Sequence, residues 1–308
     1  MATTRAALAA LFTPIYDEFM YEGYAEHAQV SPKVFKQISD STKDWKWDSL
    51  SSLGRWVDAN EMASGGYEDP TLGYPKTLTQ TKKWKKFQVS FETIDQEEYA
   101  LMRKVDSAKS MGQGCRDKVE DDHAGTLRDG FTTLGADSAY LFDTDHPANR
   151  DATTTYRDNL LTGPLSHDNM ELAEAQMSDN LFSLAGIPFV PTGKAQVLVP
   201  PQFKGRCSRL FNERADLLPA SIDEGAINRF SGMYSWKDWI YLSAKLGGSD
   251  TAWYIIYPEM ETLVSVWSAK PHYTSWIDED IEAYNFKGRT LYIQGAVDWR
   301  GSFSSSGL

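Results

Sequence analysis

The chain has 308 residues and a formal net charge of −12, with 41% hydrophobic and 13% aromatic residues. That composition is globular, with apolar side chains for one large core or two smaller ones, and it excludes a disordered chain. The acidic balance speaks against a dedicated nucleic-acid binder, which carries a basic face. No apolar run approaches the ~20 residues of a membrane span. Asp17 and Glu18 follow the short Ala/Leu patch of the N-terminus at once, unlike a secretory signal. Cys115 and Cys207 share no metal-type spacing and read as structural thiols of a reducing cytoplasm.

In chain order, residues 1–35 carry Leu8, Leu11, Ile15 and Phe19 at helix-like spacing, interrupted by Pro14 and Pro32. They predict an extended or partly helical arm, or alternatively a terminal helix docked on its own core. Trp56 and Met62 alternate weakly within 54–63, and Gly65, Gly66, Pro70, Gly73 and Pro75 make 64–76 a loop. Thr77–Ile94 then runs without Gly or Pro. Phe87, Val89 and Phe91 alternate there with Gln88, Ser90 and Glu92, the period of a strand. At ~3.3 Å per residue it would extend roughly 60 Å, several times an ordinary strand. Strand, broad turn and long return strand make a hairpin over 54–94. An isolated two-stranded hairpin is marginal in water, so a tip that overhangs its own sheet has to lie on another surface. Lys82, Lys83, Lys85 and Lys86 flank Trp84 on the return strand. They admit two readings: an edge strand guarded against aggregation, or a basic strip docked on an acidic neighbouring copy.

Asp95–Phe131 predicts a helix about 55 Å long at ~1.5 Å per residue. Tyr99, Met102, Val105, Met111, Cys115, Val119, Leu127 and Phe131 recur at helical spacings, and Asp95, Glu97 and Glu98 load the first turn. Ala139–Phe142 looks like a strand leading into a polar loop, 143–163. Ser166 can cap a helix through Leu172, Ala175, Met177, Leu181 and Leu184 that Gly186 and Pro188 stop. Ala195–Pro200 reads as a buried strand, and Pro200–Asn212 as a helix with proline in its first turn. Residues 213–237 are mixed. Trp239–Lys245 and Ala252–Pro258 form a hairpin around Gly247-Gly248-Ser249-Asp250. Leu263–Trp267 and Arg289–Trp299 add strands, and Ser302–Leu308 reads as a flexible tail. The class is α+β.

Asp143, Asp145 and His146 fit turn chemistry better than a metal site, which needs further ligands. Gly186–Ala195 departs from a phosphate loop in its spacing and has Ala195 where Ser or Thr would bind magnesium. The pairs Glu97–Glu98, Asp121–Asp122 and Asp278–Glu279 would support glycoside-type acid/base work only if they met in a cleft. His123, at helical spacing from Val119 and Leu127, reads as a packed side chain. No catalytic, cofactor-binding or metal set emerges.

The order of elements resembles the tailed-bacteriophage major capsid (major head) protein of the Hong Kong 97-type fold. Particular words carry the resemblance too. TLTQTKKWKKFQVSFETIDQEEY (Thr77–Tyr99) looks like that family's strand leaving the extended E-loop and entering the spine helix. LFDTDHP (Leu141–Pro147), NLLTGPLSHDNMELAEAQM (Asn159–Met177), AQVLVPPQFKGRCSRLF (Ala195–Phe211) and GAVDWRGSF (Gly295–Phe303) are similar to stretches of the Mu-like head-subunit branch. The resemblance implies an N-terminal arm and lead-in (1–53), an extended hairpin or E-loop (54–94), and a spine helix with peripheral domain (95–147). It further implies an axial domain (148–285) and a C-terminal return to the peripheral domain (286–308). The hairpin would lie across an adjacent subunit, with Tyr67, Glu68, Asp69, Pro70, Tyr74, Lys82, Lys83, Trp84, Lys85 and Lys86 as the inter-subunit contacts. The implied function is non-enzymatic. Hexamers and pentamers would build an icosahedral-type shell around double-stranded DNA, assembled in the host cytoplasm and carried in the virion, with portal, scaffolding and decoration proteins as further partners. The shell protein of a cellular encapsulin-type nanocompartment, with protein cargo, is the second reading. A soluble α+β hydrolase, its site among the acidic pairs, is the third.

Overall fold

The computed structural model describes residues 5–26, 29–50, 72–92, 98–150, 154–212 and 228–307, with single positions between 53 and 70. Glu68, Asp95, Glu97 and residues 213–227 lie outside the described residues, as do most of 54–63 and the side chains of Leu8, Leu11, Ile15, Tyr99, Met102 and Val105. The chain starts with helices α1 (Arg5–Glu26) and α2 (Ser31–Val34). Strands β1 (Lys36–Ser39), β2 (Asp44–Leu50), β3 (Leu72–Thr79) and β4 (Thr81–Ser90) precede helix α3 (Glu98–Arg128). Short strands β5 (His146–Pro147), β6 (Tyr156–Arg157) and β7 (Leu160–Leu161) lead to helix α4 (His167–Asn180). Strand β8 (Gln196–Val199), helix α5 (Lys204–Asn212), and strands β9 (Ser235–Asp238) and β10 (Trp253–Ile256) follow. Two long strands, β11 (Leu263–Asp278) and β12 (Ala283–Ala296), and a last short one, β13 (Ser302–Ser305), complete it.

Helix α3 has 31 residues and spans about 46 Å at its usual rise. Its buried stripe, Ala108, Met111, Val119, Ala124 and Leu127, keeps the three-and-four spacing of an amphipathic helix. Towards its N-terminus it covers a four-stranded sheet ordered β1-β11-β12-β4, sharing a core with Tyr16 and Met20 of α1 and Val89, Tyr273, Tyr284 and Phe286 of the strands. Towards its C-terminus, Ala124 and Leu127 join Leu198, Tyr254 and Ile256 of a second sheet, ordered β7-β13-β10-β8-β9. The opposite face of that sheet packs Val197, Val199, Trp253, Ile255 and Phe303 against Met170 and Ala173 of α4 and Phe211 of α5. Strands β8, β10 and β13 are therefore buried on both faces, which is why β10 and Val197–Val199 of β8 read as unbroken apolar runs.

Residues 5–26 form a helix docked along α3 of the same chain, as in the second of the two sequence readings. The crossing is tight at two glycines. A Cβ on Gly112 would lie 1.9 Å from the carbonyl oxygen of Met20, and one on Gly23 would lie 2.2 Å from that of Lys109.

Six expectations are corrected. The long return strand is two strands broken at Gln80, where the chain passes from the β2–β3 hairpin to the four-stranded sheet. Gln80 is buried there; its backbone N–H donates to Lys43 and its side-chain amide donates to the carbonyls of Asp40 and Thr42, each 2.9 Å away. The hairpin's outgoing strand is Asp44–Leu50, before the expected 54–63, in register from Asp44↔Thr79 to Leu50↔Leu72. Ala139–Phe142 contributes only an isolated bridge, Leu134↔Tyr140. Helix α4 is capped by Ser166 as expected, yet it ends at Asn180, and Leu172 is exposed while Met170, Ala173 and Met177 face the core. Residues 240–246 form two 3-10 turns with no hairpin to β10, whose neighbours are β8 and β13. The tail is likewise no flexible end, because Ser302–Ser305 lies between β7 and β10. Its buried hydroxyls donate to backbone carbonyls: Ser302 to Trp299, Ser304 to Trp253 and Ser305 to Gly163.

The crossing at Gly112 gives a paired stability prediction. Alanine at either Gly112 or Gly114 gains up to ~1 kcal/mol of helix propensity. At Gly114 the added methyl meets nothing within 4 Å, so Gly114→Ala raises the urea midpoint. At Gly112 it meets backbone that no rotamer change can move, so Gly112→Ala lowers the midpoint, with overpacking costing about 1–3 kcal/mol.

Candidate inter-subunit surface

The hairpin stem is fixed on its own subunit. Leu78, Trp45 and Trp47 pack with Val264, Val266 and Val297, and Lys76 donates to the Leu134 carbonyl at 3.1 Å. Tyr74 sits half-buried within β3, beside Trp47, Asp137 and Trp299. Beyond the stem, Asp69 and Pro70 are exposed, and Trp56 (101%) and Tyr67 (107%) are wholly exposed.

The return strand β4 is the edge of the four-stranded sheet, paired with β12 in unbroken register from Ala283↔Ser90 to Tyr292↔Thr81. Its residues alternate. Lys83, Phe87 and Val89 point towards the helices, with Phe87 stacked on Phe286 at 4.9 Å. Lys83 reaches Asp122 of α3 at 2.5 Å and lies 3.7 Å over the Tyr292 ring. Asp122 also receives Lys118 and the Tyr292 hydroxyl, each at 2.8 Å. Burial works against the Asp122 charge, but the hydrogen bonds from Lys118, Lys83 and Tyr292 prevail and hold its carboxyl below the usual range. Burial in turn lowers Lys83 despite that partner. Lys82, Lys85 and Lys86 are exposed, and so is Trp84, with Lys287 5.6 Å from its ring. Sequence reasoning found this strip because its charges are adjacent. It missed Lys118 and Arg289, which only the fold brings beside it around a cavity of about 430 Å³ between α3 and the sheet.

The other candidates have structural partners. His146 packs on Trp299, with Asp137 at 2.7 Å from Nδ1 and Asn159 at 3.1 Å from Nε2. The Asp143 carboxylate accepts from the backbone N–H groups of Tyr140 and Thr144, as in a turn. Among the described residues no group of three or more His, Cys, Asp or Glu is placed to hold a metal ion. Asp121 and Asp122 line a cleft of about 350 Å³, but Asp121 is paired with Arg128 at 3.0 Å and Asp122 with the two lysines, so both carboxylates are already engaged. Cys115 is held up to about 11 by burial, which leaves a protonated, unreactive thiol. A polar set that sequence reasoning missed lies inside α3: buried Glu120 pairs with buried Arg116 and accepts from the Ser31 hydroxyl (2.8 Å) and the Ser31 N–H (3.1 Å). Its i,i+4 spacing was the available signal.

A 31-residue helix packs on both a four-stranded sheet with two long strands and a second sheet with its own core, and Trp56 and Tyr67 stand wholly exposed beyond the hairpin stem. Residues 74–304 match the family model described as phage capsid protein, and the chain belongs to that family. It is a capsid shell protein of the virion, and the match favours a viral shell over a cellular compartment. Among curated proteins none matches the chain by sequence. Solved structures share the Hong Kong 97-type fold. The mature capsid of bacteriophage PhiM1 superposes with a TM-score of 0.60 at 13% identity, over 92% of this chain and 88% of that one. The procapsid of bacteriophage JBD30 does so at 0.50 and 17% identity, over 98% and 75%. The virus-like particle from Pyrococcus furiosus gives 0.50 and 11%, over 94% and 96%.

Buried His123 gives the pH prediction. Its Nδ1–H donates to the Val119 carbonyl (2.6 Å) and its Nε2 accepts from the Ser265 hydroxyl (2.8 Å), which requires the neutral ring. Burial holds it down at about 4. The unfolded chain takes up this proton near pH 6.5 and the folded chain does not, so the contribution is complete above that pH. It is lost as pH falls towards 4, at up to about 1.4 kcal/mol per pH unit. Urea midpoints measured downward from neutral pH should fall less steeply in His123→Gln than in the parent.

Proposed function

We propose that copies of this chain form hexamers and pentamers that close into an icosahedral-type shell around the double-stranded DNA of a tailed phage of the Mu-like head-subunit branch. The part of the hairpin beyond its stem and the lysine strip of β4 make the contacts between copies. The role is non-enzymatic. The subunit divides into arm, hairpin, peripheral and axial parts as the family resemblance implies, and portal, scaffolding and decoration proteins are the further partners. The observation that carries the hairpin's role is the complete exposure of Trp56 and Tyr67. Burying a large apolar side chain is worth about 1.5–3 kcal/mol, and these two have no such burial on their own subunit. In a closed lattice a modest contact suffices, because symmetry repeats it around every ring. An acidic wall also suits DNA held under confinement, since tight phosphate binding needs net positive contacts.

Deleting residues 59–70, which spares β2 and β3, should leave thermal unfolding of the subunit unchanged and abolish particles in electron micrographs. Normal particles from the deletion would remove the hairpin from assembly.

A further inference from the structure

The cavity of about 430 Å³ under β4 is chemically one-sided. Its floor is apolar and comes from both layers: Met111 and Cys115 of α3, Tyr273 of β11 and Tyr292 of β12. Gly288 is the reason the floor is deep, since a Cβ there would lie 2.7 Å from Met111 and 3.0 Å from Tyr273. Lys85 is the register partner of Gly288 and shares its side of the sheet. Lys82, Lys83, Lys118 and Arg289 complete a cationic lining that contains no carboxylate. Asp122 beside it is engaged by Lys83, Lys118 and the Tyr292 hydroxyl.

The hairpin carries the opposite chemistry. From Trp56 to Pro75 the sequence holds Asp58, Glu61, Glu68 and Asp69 and neither lysine nor arginine. In the same stretch Tyr67 is wholly exposed, followed at once by the two acids Glu68 and Asp69. An aromatic ring next to two carboxylates matches an apolar floor under a cationic rim, in a chain whose net charge is −12.

We propose that this cavity is the socket for the Tyr67-Glu68-Asp69 segment of a second copy, its ring on the Met111–Tyr273 floor and its carboxylates against Lys85 and Lys118. The inference rests on the shell reading above and names the receiving surface within it. Knob and socket are different parts of one chain, so the contact is heterologous. Each copy gives to one neighbour and receives from the other, which closes a ring when the rotation permits. Confinement of like charge to each side also opposes a wrong pairing of tip with tip.

A charge exchange on the full chain tests it. Asp69→Lys and Lys85→Glu both change exposed side chains, so the subunit folds in each. Each alone should raise the protein concentration needed for shells about tenfold at low salt, and less at high salt, where screening weakens the contact. The combined variant should return it to near the parent value. Single variants that assemble normally, or a combined variant no better than either single one, would overturn the socket. If deletion of 59–70 still abolishes shells in that case, the hairpin's role stands and only its receptor is wrong. Lys85→Glu shells of normal yield but reduced DNA content would also overturn it, by assigning the cations to phosphate.

Discussion

A carboxylate with 1% of its surface exposed sits in the C-terminal half of α3 and determines where α1, α2 and β1 go. Glu120 is paired with Arg116, itself 2% exposed, and the two together take up the Ser31 N–H and hydroxyl and the Tyr24 hydroxyl. Two charges removed from water to this degree are tolerated only with these extra hydrogen bonds, and breaking such a pair by removing one partner costs about 3–5 kcal/mol. The consequence is positional. Tyr24 fixes the end of α1 on α3, Ser31 fixes α2, and β1, which follows directly, enters the sheet parallel to β11 from Lys36↔Val264. The close glycine contacts between α1 and α3 extend the same constraint along the helix pair.

Helix α3 was legible because its apolar residues repeat without competition from glycine or proline in the buried stripe. The cap of α4 was legible too, since Ser166 at the N-cap is a local signal that needs no tertiary information. What failed depended on partners far away in sequence. Gln80 looks like any strand residue until Asp40 and Thr42 are seen to take its amide, and this ends one strand and starts another. Ser302, Ser304 and Ser305 have the composition of a loose end, but each hydroxyl has a carbonyl waiting. Leu172 and Ala175 were assigned inward because apolar character sets only a period, and the phase of that period is chosen by the sheet beneath. Strands β11 and β12 run further than Leu263–Trp267 and Arg289–Trp299 because the sheet absorbs Lys270-Pro271 as an irregularity between Ala269 and His272.

The candidate surface divides in the same way. A cluster of lysines around a tryptophan is visible in any linear reading, but its division between the two faces of β4 is not. Trp84, Lys82 and Lys86 lie on the exposed side of an edge strand, while Lys83 is turned in to Asp122. A linear reading sees neither that alternation nor the space beneath it, since the space exists only where Gly288 and Gly114 leave room between a sheet and a helix more than a hundred residues apart in sequence.

The position of β13 has a consequence in time. Residues 302–305 leave the ribosome after every other strand of the second sheet, yet β13 stands between β7 and β10. Until they emerge, β7 has no neighbour to join and Phe303 is missing from the core beneath β10. A nascent chain therefore holds an unfinished second sheet, with part of its apolar core open, until residues 302–305 have emerged.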